Sequence, residues 1–220
     1  QPITKWTYQI RKAEDVAWAV SRAFYIASTG RPGPVVLDFT KDAQVGTVDY
    51  KYEKIHFIRS YQPEPEIRQD RIIEAAKLIN VAKKPFCLIG QGVILGHAEK
   101  ELMEFLQKND IPAGATTLGL SAVPSDFPQF KGMLGMHGNV GPNRKTNECD
   151  VLIAVGMRFD DRVTGDLNHY AKQAKVIHLD IDNSEIGKNV KVEVKVLGNA
   201  KKTLPAITQL LEERKRTKWN

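Results

Sequence analysis

From residue 69 onward the chain alternates short apolar runs with polar stretches whose apolar residues recur at helical spacing. No other feature restricts the fold as much. The runs "FCLIG", "VLIAVG", "KVIHLDI" and "VEVKVLG" are too short for helices and too evenly apolar for strands with one wet face, which suits strands buried on both sides. Between them the spacing predicts a helix over Gln69–Val81, on a stripe of Ile72, Ala76 and Ile79, and another over 98–108 held by Leu102, Phe105 and Leu106. A short strand is expected over 112–116 and a closing helix over 200–215. Strands alternating with helices predict an α/β fold with an open parallel sheet covered on both faces.

The first forty residues follow the same logic on a smaller scale. Val16, Val20, Phe24 and Ala27 recur at helical spacing, and "PVVLDF" forms a short apolar run after the breakers of "STGRPGP". One helix and one strand cannot enclose a core, so this segment is expected to be the end of a domain whose front precedes Gln1. Periodicity lapses over 41–66, where "YQPEPEI" carries two prolines, as a linker would. The expected boundaries are therefore 1–42 for the partial domain, 43–68 for the linker, 69–216 for the main domain and 217–220 for a tail.

Composition excludes several function classes. Among the 220 residues 42% are hydrophobic and 26% charged, as in ordinary globular proteins. No apolar run approaches the roughly 20 residues of a membrane helix, and no signal peptide opens the chain, so an intracellular, cytoplasmic protein with no membrane partner is expected. The net charge of +6 is scattered among acids, without the aromatic and basic interleaving that marks a nucleic-acid surface. Its densest run, "EERKRTKWN", is expected to be a solvated helix end. Cys87 and Cys149 lack metal-ligand spacing and are expected to be buried thiols.

In open parallel sheets ligands bind outside the carboxyl ends of the strands, so the residues that follow each run are the candidates. After "FCLIG" stand Gly90, Gln91, Gly92 and Gly96, one residue longer than a dinucleotide fingerprint. They suit either close approach to a diphosphate or a tight turn. After "VLIAVG" come Arg158, Asp160, Asp161 and Arg162 around Phe159; the arginines suit phosphate and Phe159 a flat ring, and the same letters suit a surface loop of Arg and Asp pairs. "MLGMHGNVGPN" places Met136 and His137 among glycines, as a ligand contact or a turn. Asp180 and Asp182 follow "KVIHLDI", either toward ribose hydroxyls or as caps. No nucleophile elbow, phosphate-binding P-loop or HExxH is present, so no catalytic residue and no metal ligand is expected in this chain.

The segments "GRPGPVVLDFTKD", "IGQGVILG", "TTLGLSA", "GMLGMHGN", "VGMRFDDRVTG" and "IHLDIDNSEIGKN", in that order, resemble the catalytic subunits of acetohydroxyacid synthase, also called acetolactate synthase, among the thiamine diphosphate enzymes. The likeness implies that 1–42 ends a pyrimidine-binding domain and that 69–216 is a Rossmann-like middle domain of about six parallel strands that binds FAD. It implies contacts to FAD from Arg31, Gly90, Gln91, Gly92, Thr116, Thr117, Leu118, Met136, His137, Gly156, Met157, Arg158, Asp160, Arg162 and Val163. Asp180, Ile181, Ile186 and Asn199 would lie toward its adenosine end. At Asn199 the family more often carries Asp, so a charge is missing there, and Thr40 replaces a more frequent Pro. The catalytic Glu and the motif for magnesium and thiamine diphosphate belong to other parts of the family's polypeptide. The implied partners are those missing domains, further catalytic subunits in a homodimer or homotetramer, and a regulatory small subunit. On the residues alone, a freestanding NAD oxidoreductase and a ligand-free structural domain stay open.

Overall fold

A computed structural model describes residues 3–220; Gln1 and Pro2, where the first expected segment begins, lie outside the described residues. The chain divides into two compact units, Gln1–Glu64 and Pro65–Asn220.

In the first unit β1 (Trp6–Ile10) and β2 (Val35–Phe39) pair in parallel, joined by α1 (Val16–Ser28). The helix and β2 fall where the spacing predicts them; β1 is additional. The C-terminal carbonyls of α1 are met by one cation: Lys5 Nζ donates to Ile26 O at 2.5 Å and Thr29 O at 2.7 Å, where a helix dipole favours positive charge. Within the stretch where periodicity lapses stands a short helix, α2 (Lys41–Val45), whose first turn is capped by Thr40 Oγ1 accepting from Ala43 N.

The second unit opens with α3 (Gln69–Val81). Six strands then form one parallel sheet: β3 (Pro85–Ile89), β4 (Ala113–Ala115), β5 (Phe130–Met133), β6 (Val151–Val155), β7 (Lys175–Asp180) and β8 (Val194–Leu197). Their order is β5-β4-β3-β6-β7-β8, so the chain winds outward from β3, returns to β6 and winds the other way. That reversal makes a doubly wound, Rossmann-like sheet with its switch point between β3 and β6.

Burial on both faces explains the evenly apolar runs. Cys87 and Ile89 of β3, Ile153 and Val155 of β6, and Ile177 and Leu179 of β7 pack with α3, α5 (Glu99–Lys108) and α8 (Ala200–Thr208). The alternate residues Phe86, Leu88, Leu152, Ala154 and Val176 pack on the other face with Cys149, Phe159 and Tyr170. The two thiols are buried, and burial pushes Cys149 up to about 12, which leaves it protonated and inert.

Two expectations are corrected. The closing helix stops at Thr208 instead of running to 215, because Asn80 takes over the backbone beyond it, donating to Leu210 O and accepting from Glu212 N. The basic tail is therefore not a solvated helix end. Arg216 is buried and its guanidinium donates to Asn109 O, Ala82 O and Asn109 Oδ1, while its amide donates to Asp110 Oδ2 at 2.6 Å. The indole of Trp219 donates to Pro85 O and lies under the Lys145 ammonium. Among the described residues no helix is long and apolar enough to cross a membrane.

Candidate functional site

Because all six strands run in parallel, every candidate after a strand of the second unit comes to one rim. Arg31 belongs to the first unit, on the turn where Gly30 takes φ +62°, and its side chain is exposed.

At the switch point the β3 and β6 turns touch backbone to backbone. Gly90 N donates to Val155 O at 2.9 Å and Gly92 N to Gly156 O at 2.8 Å. A Cβ on Gly90 would lie 2.2 Å from Gly156 O, and one on Gly92 2.6 Å from Gly156 Cα. These glycines let two turns of the sheet close on each other. Their amides are engaged there, so they offer no free N–H pair to a diphosphate, which removes the main support for an NAD fingerprint. Gln91 begins the short α4 (Gln91–Leu95) with its side chain exposed.

After β4, Thr116 N and Oγ1 both donate to Ile89 O, while Thr117 and Leu118 face outward, Leu118 being 64% exposed. After β5, Met136 and His137 are exposed on a loop that the sequence leaves ambiguous. It is ordered by Asn143 of α6 (Val140–Glu148), whose side chain accepts from Gly135 N and donates to Gly135 O. Met136 N donates to Arg162 O at 2.8 Å. That bond joins the β5 and β6 loops into one surface beside a cavity of about 290 Å³, lined by Met136, Asn143, Asn147, Arg162, Val163 and Tyr170 among others.

The charged turn after β6 carries the surface pairs of Arg and Asp that one of its readings expects. Gly156 takes φ +58°. Met157 and Phe159 then point into the core, at 4% and 3% exposure, and alternate with outward Arg158 and Asp160. The ring of Phe159 stands edge-on to His178 and Tyr170, so the expectation that it supports a ligand's ring is corrected: it is the plug that seats the turn. Asp160 caps α7 (Asp161–Thr164) by accepting from Arg162 N. Arg158 Nε reaches Asp160 Oδ2 at 3.2 Å and Arg162 Nη1 reaches Asp161 Oδ2 at 3.8 Å. Exposed pairs of this kind hold their partners weakly, ~0–1 kcal/mol each, and leave most guanidinium donors available to an anion.

After β7, Asp180 Oδ1 accepts from Asp182 N, and Asp182 Oδ1 from Ser184 N and Oγ. Ile181 is half-buried and Ile186 buried at 5% exposure. Asn199 caps α8 by accepting from Lys201 N at 3.0 Å, a duty an amide performs as well as a carboxylate. Sequence reasoning missed Asn143, His178 and Asn189, which hold the rim from behind. Among the described residues no group of three or more His, Cys, Asp or Glu gathers as a metal site.

The rim thus offers two lightly paired guanidiniums, a carboxylate at the end of β7 and the exposed apolar side chains of Leu118 and Met136. The planar guanidiniums among them suit an anionic ligand.

A family model described as "Thiamine pyrophosphate enzyme, central domain" matches residues 72–207. Over 215 residues the chain is 43% identical to the acetolactate synthase large subunit of Haemophilus influenzae, covering 97% of this chain and 38% of that protein. Over 217 residues it is 41% identical to that of Corynebacterium glutamicum, covering 99% of this chain and 34% of that protein. The chain therefore spans well under half the length of these curated relatives. Benzoylformate decarboxylase from Polynucleobacter necessarius superposes with a TM-score of 0.78 at 19% identity, over 100% of this chain and 40% of that one, a likeness of fold.

Proposed function

This chain belongs to the thiamine pyrophosphate enzyme family, whose central domain it carries, and from that premise we propose that it is the FAD-binding central region of an acetolactate synthase catalytic subunit. The parent enzyme decarboxylates pyruvate on thiamine diphosphate with magnesium and joins the two-carbon unit to a second 2-keto acid, on the route to branched-chain amino acids. In this reading 1–42 completes the pyrimidine-binding domain, 43–68 links it onward, and 69–216 is the middle domain. The remaining domains, further catalytic subunits and a regulatory subunit are its partners.

The observation that carries the reading is the hydrogen bond from Met136 N to Arg162 O, since it sets an exposed apolar side chain beside a turn bearing two lightly paired cations. Arg158 and Arg162 would hold the diphosphate, Asp180 the ribose, and Met136, His137 and Leu118 the ring system. When bound, the flavin supplies no net oxidation or reduction to the synthase reaction and serves to fill and order the rim.

Titrating the full chain with FAD, NAD and ADP while following flavin fluorescence and the melting temperature tests this. FAD alone is expected to give saturable quenching, and Arg162→Ala to weaken it about tenfold, the loss of one charge-assisted contact, with the unfolding midpoint unchanged. Tight NAD binding without a flavin response would replace the reading with a dehydrogenase. Should no nucleotide shift either signal, the domain is a structural one.

A further inference from the structure

His178 is the polar exception on a buried strand. Its neighbours Val176, Ile177 and Leu179 are apolar and buried, and His178 itself has no exposure. A leucine there would match the pattern of the strand and avoid burying two ring nitrogens. Nε2 lies 2.9 Å from Met157 O; a carbonyl can only accept, so Nε2 carries the proton. Nδ1 is then a buried lone pair, and it has no hydrogen-bond partner. An orphaned buried acceptor is destabilising, and such a group in a native protein calls for a compensating role. Burial, opposed by the Met157 carbonyl and by Glu185, holds the imidazole below its ordinary pKa, so the ring is neutral near pH 7.

The bond and the ring contact both go to the charged turn. Met157 directly follows Gly156, where the backbone leaves β6 at φ +58°, and the His178 ring stands edge-on to Phe159 at 5.1 Å between centroids. Asn189 Nδ2 completes the support by donating to Phe159 O at 2.6 Å. Two backbone carbonyls of the turn and the Phe159 ring are thereby met from β7 and the chain after it, while Arg158 and Arg162 are exposed.

We propose that His178 is a positioning residue for the rim: its Nε2 proton fixes Met157 O and its ring seats Phe159, so that Arg158 and Arg162 are presented in one set conformation. Its consequence for flavin rests on the FAD reading above; its consequence for the turn does not.

The experiment uses the full 220-residue chain with His178→Leu, which removes the donor and the orphan together, and His178→Gln, which restores a donor near Nε2. Amide hydrogen exchange over 156–164 is compared with exchange over the β3 and β7 strands. For His178→Leu, turn exchange is expected to rise about tenfold, the worth of one net hydrogen bond. Strand exchange and the unfolding midpoint should hold, and His178→Gln should bring the turn back toward the parent. FAD affinity should fall and recover in step. Unchanged turn exchange in His178→Leu overturns the proposal, as does a rise shared equally by the strands, which would mark a merely structural residue. If the turn responds but neither parent nor variant binds FAD, positioning stands and the cofactor reading falls. Should His178→Leu not fold, the ¹⁵N spectrum of the imidazole in the parent decides: a proton on Nδ1 overturns the proposal and a proton on Nε2 sustains it.

Discussion

At Gly156 a single missing side chain allows the two halves of the sheet to meet. The residue adopts φ +58°, and a Cβ there would stand 2.6 Å from Gly92 Cα. The neighbouring atoms all belong to backbone and a Cβ is fixed by its own Cα, so no rotamer change relieves the contact, and the conformation itself is strained for any L side chain. Gly156→Ala is therefore expected to cost about 2–4 kcal/mol in urea unfolding, combining an overpacking term with a backbone term. Gly165→Ala is the comparison without a close neighbour: φ is +56° and ψ −131° there but nothing lies within 4 Å of an added Cβ, so only a backbone term of about 1–3 kcal/mol applies. Equal losses at the two positions would show that the close approach of the turns contributes little.

At the scale of elements, the tail replaces a helix with a strap of hydrogen bonds. Arg216 gives its guanidinium to Asn109 O, Ala82 O and Asn109 Oδ1, which joins the ends of α3 and α5 to the tail. Arg216→Ala leaves those acceptors unmet in a buried place, so a loss of about 3 kcal/mol is expected, read as a lower urea midpoint. Arg216→Lys should recover little, because one ammonium cannot span a planar fork of acceptors. Recovery to the parent midpoint by Lys would show that charge alone matters. The strap also marks where the sequence ceases to be legible. Elements set by their own apolar spacing, such as α3 and the β3, β6 and β7 runs, stand where the letters place them. Edge strand β5, with the unassuming "FKGM", and the tail take their order from groups far along the chain. The site divides in the same way. A parallel sheet brings strand ends to one rim, so the outward residues could be found, whereas Phe159 turns inward and Asn143, His178 and Asn189 act from behind, through contacts that spacing does not encode.

At the scale of the whole chain, the units differ in what they can enclose. The second, Pro65–Asn220, holds a six-stranded sheet with a core on each face. In the first, the cluster of buried apolar residues is Ile10, Ala19 and Ala43, beside a two-stranded sheet. Phe24 at 70% and Val36 at 48% exposure leave apolar surface uncovered there. A two-stranded sheet with α1 and the short α2 encloses little apolar surface, so burial there offsets chain entropy poorly. Expressed separately, 65–220 should therefore unfold in one cooperative thermal transition near the main transition of the full chain, because its own cores supply its stability. A separate 1–64 should show no sigmoidal transition by circular dichroism and should bind dyes that report exposed apolar surface. A sharp transition in 1–64 would mean that Trp6, Tyr8 and Trp18, whose rings contact one another, form a core sufficient without further cover. Loss of cooperativity in 65–220 would mean instead that burial within the six-stranded unit does not by itself outweigh the entropy of ordering it.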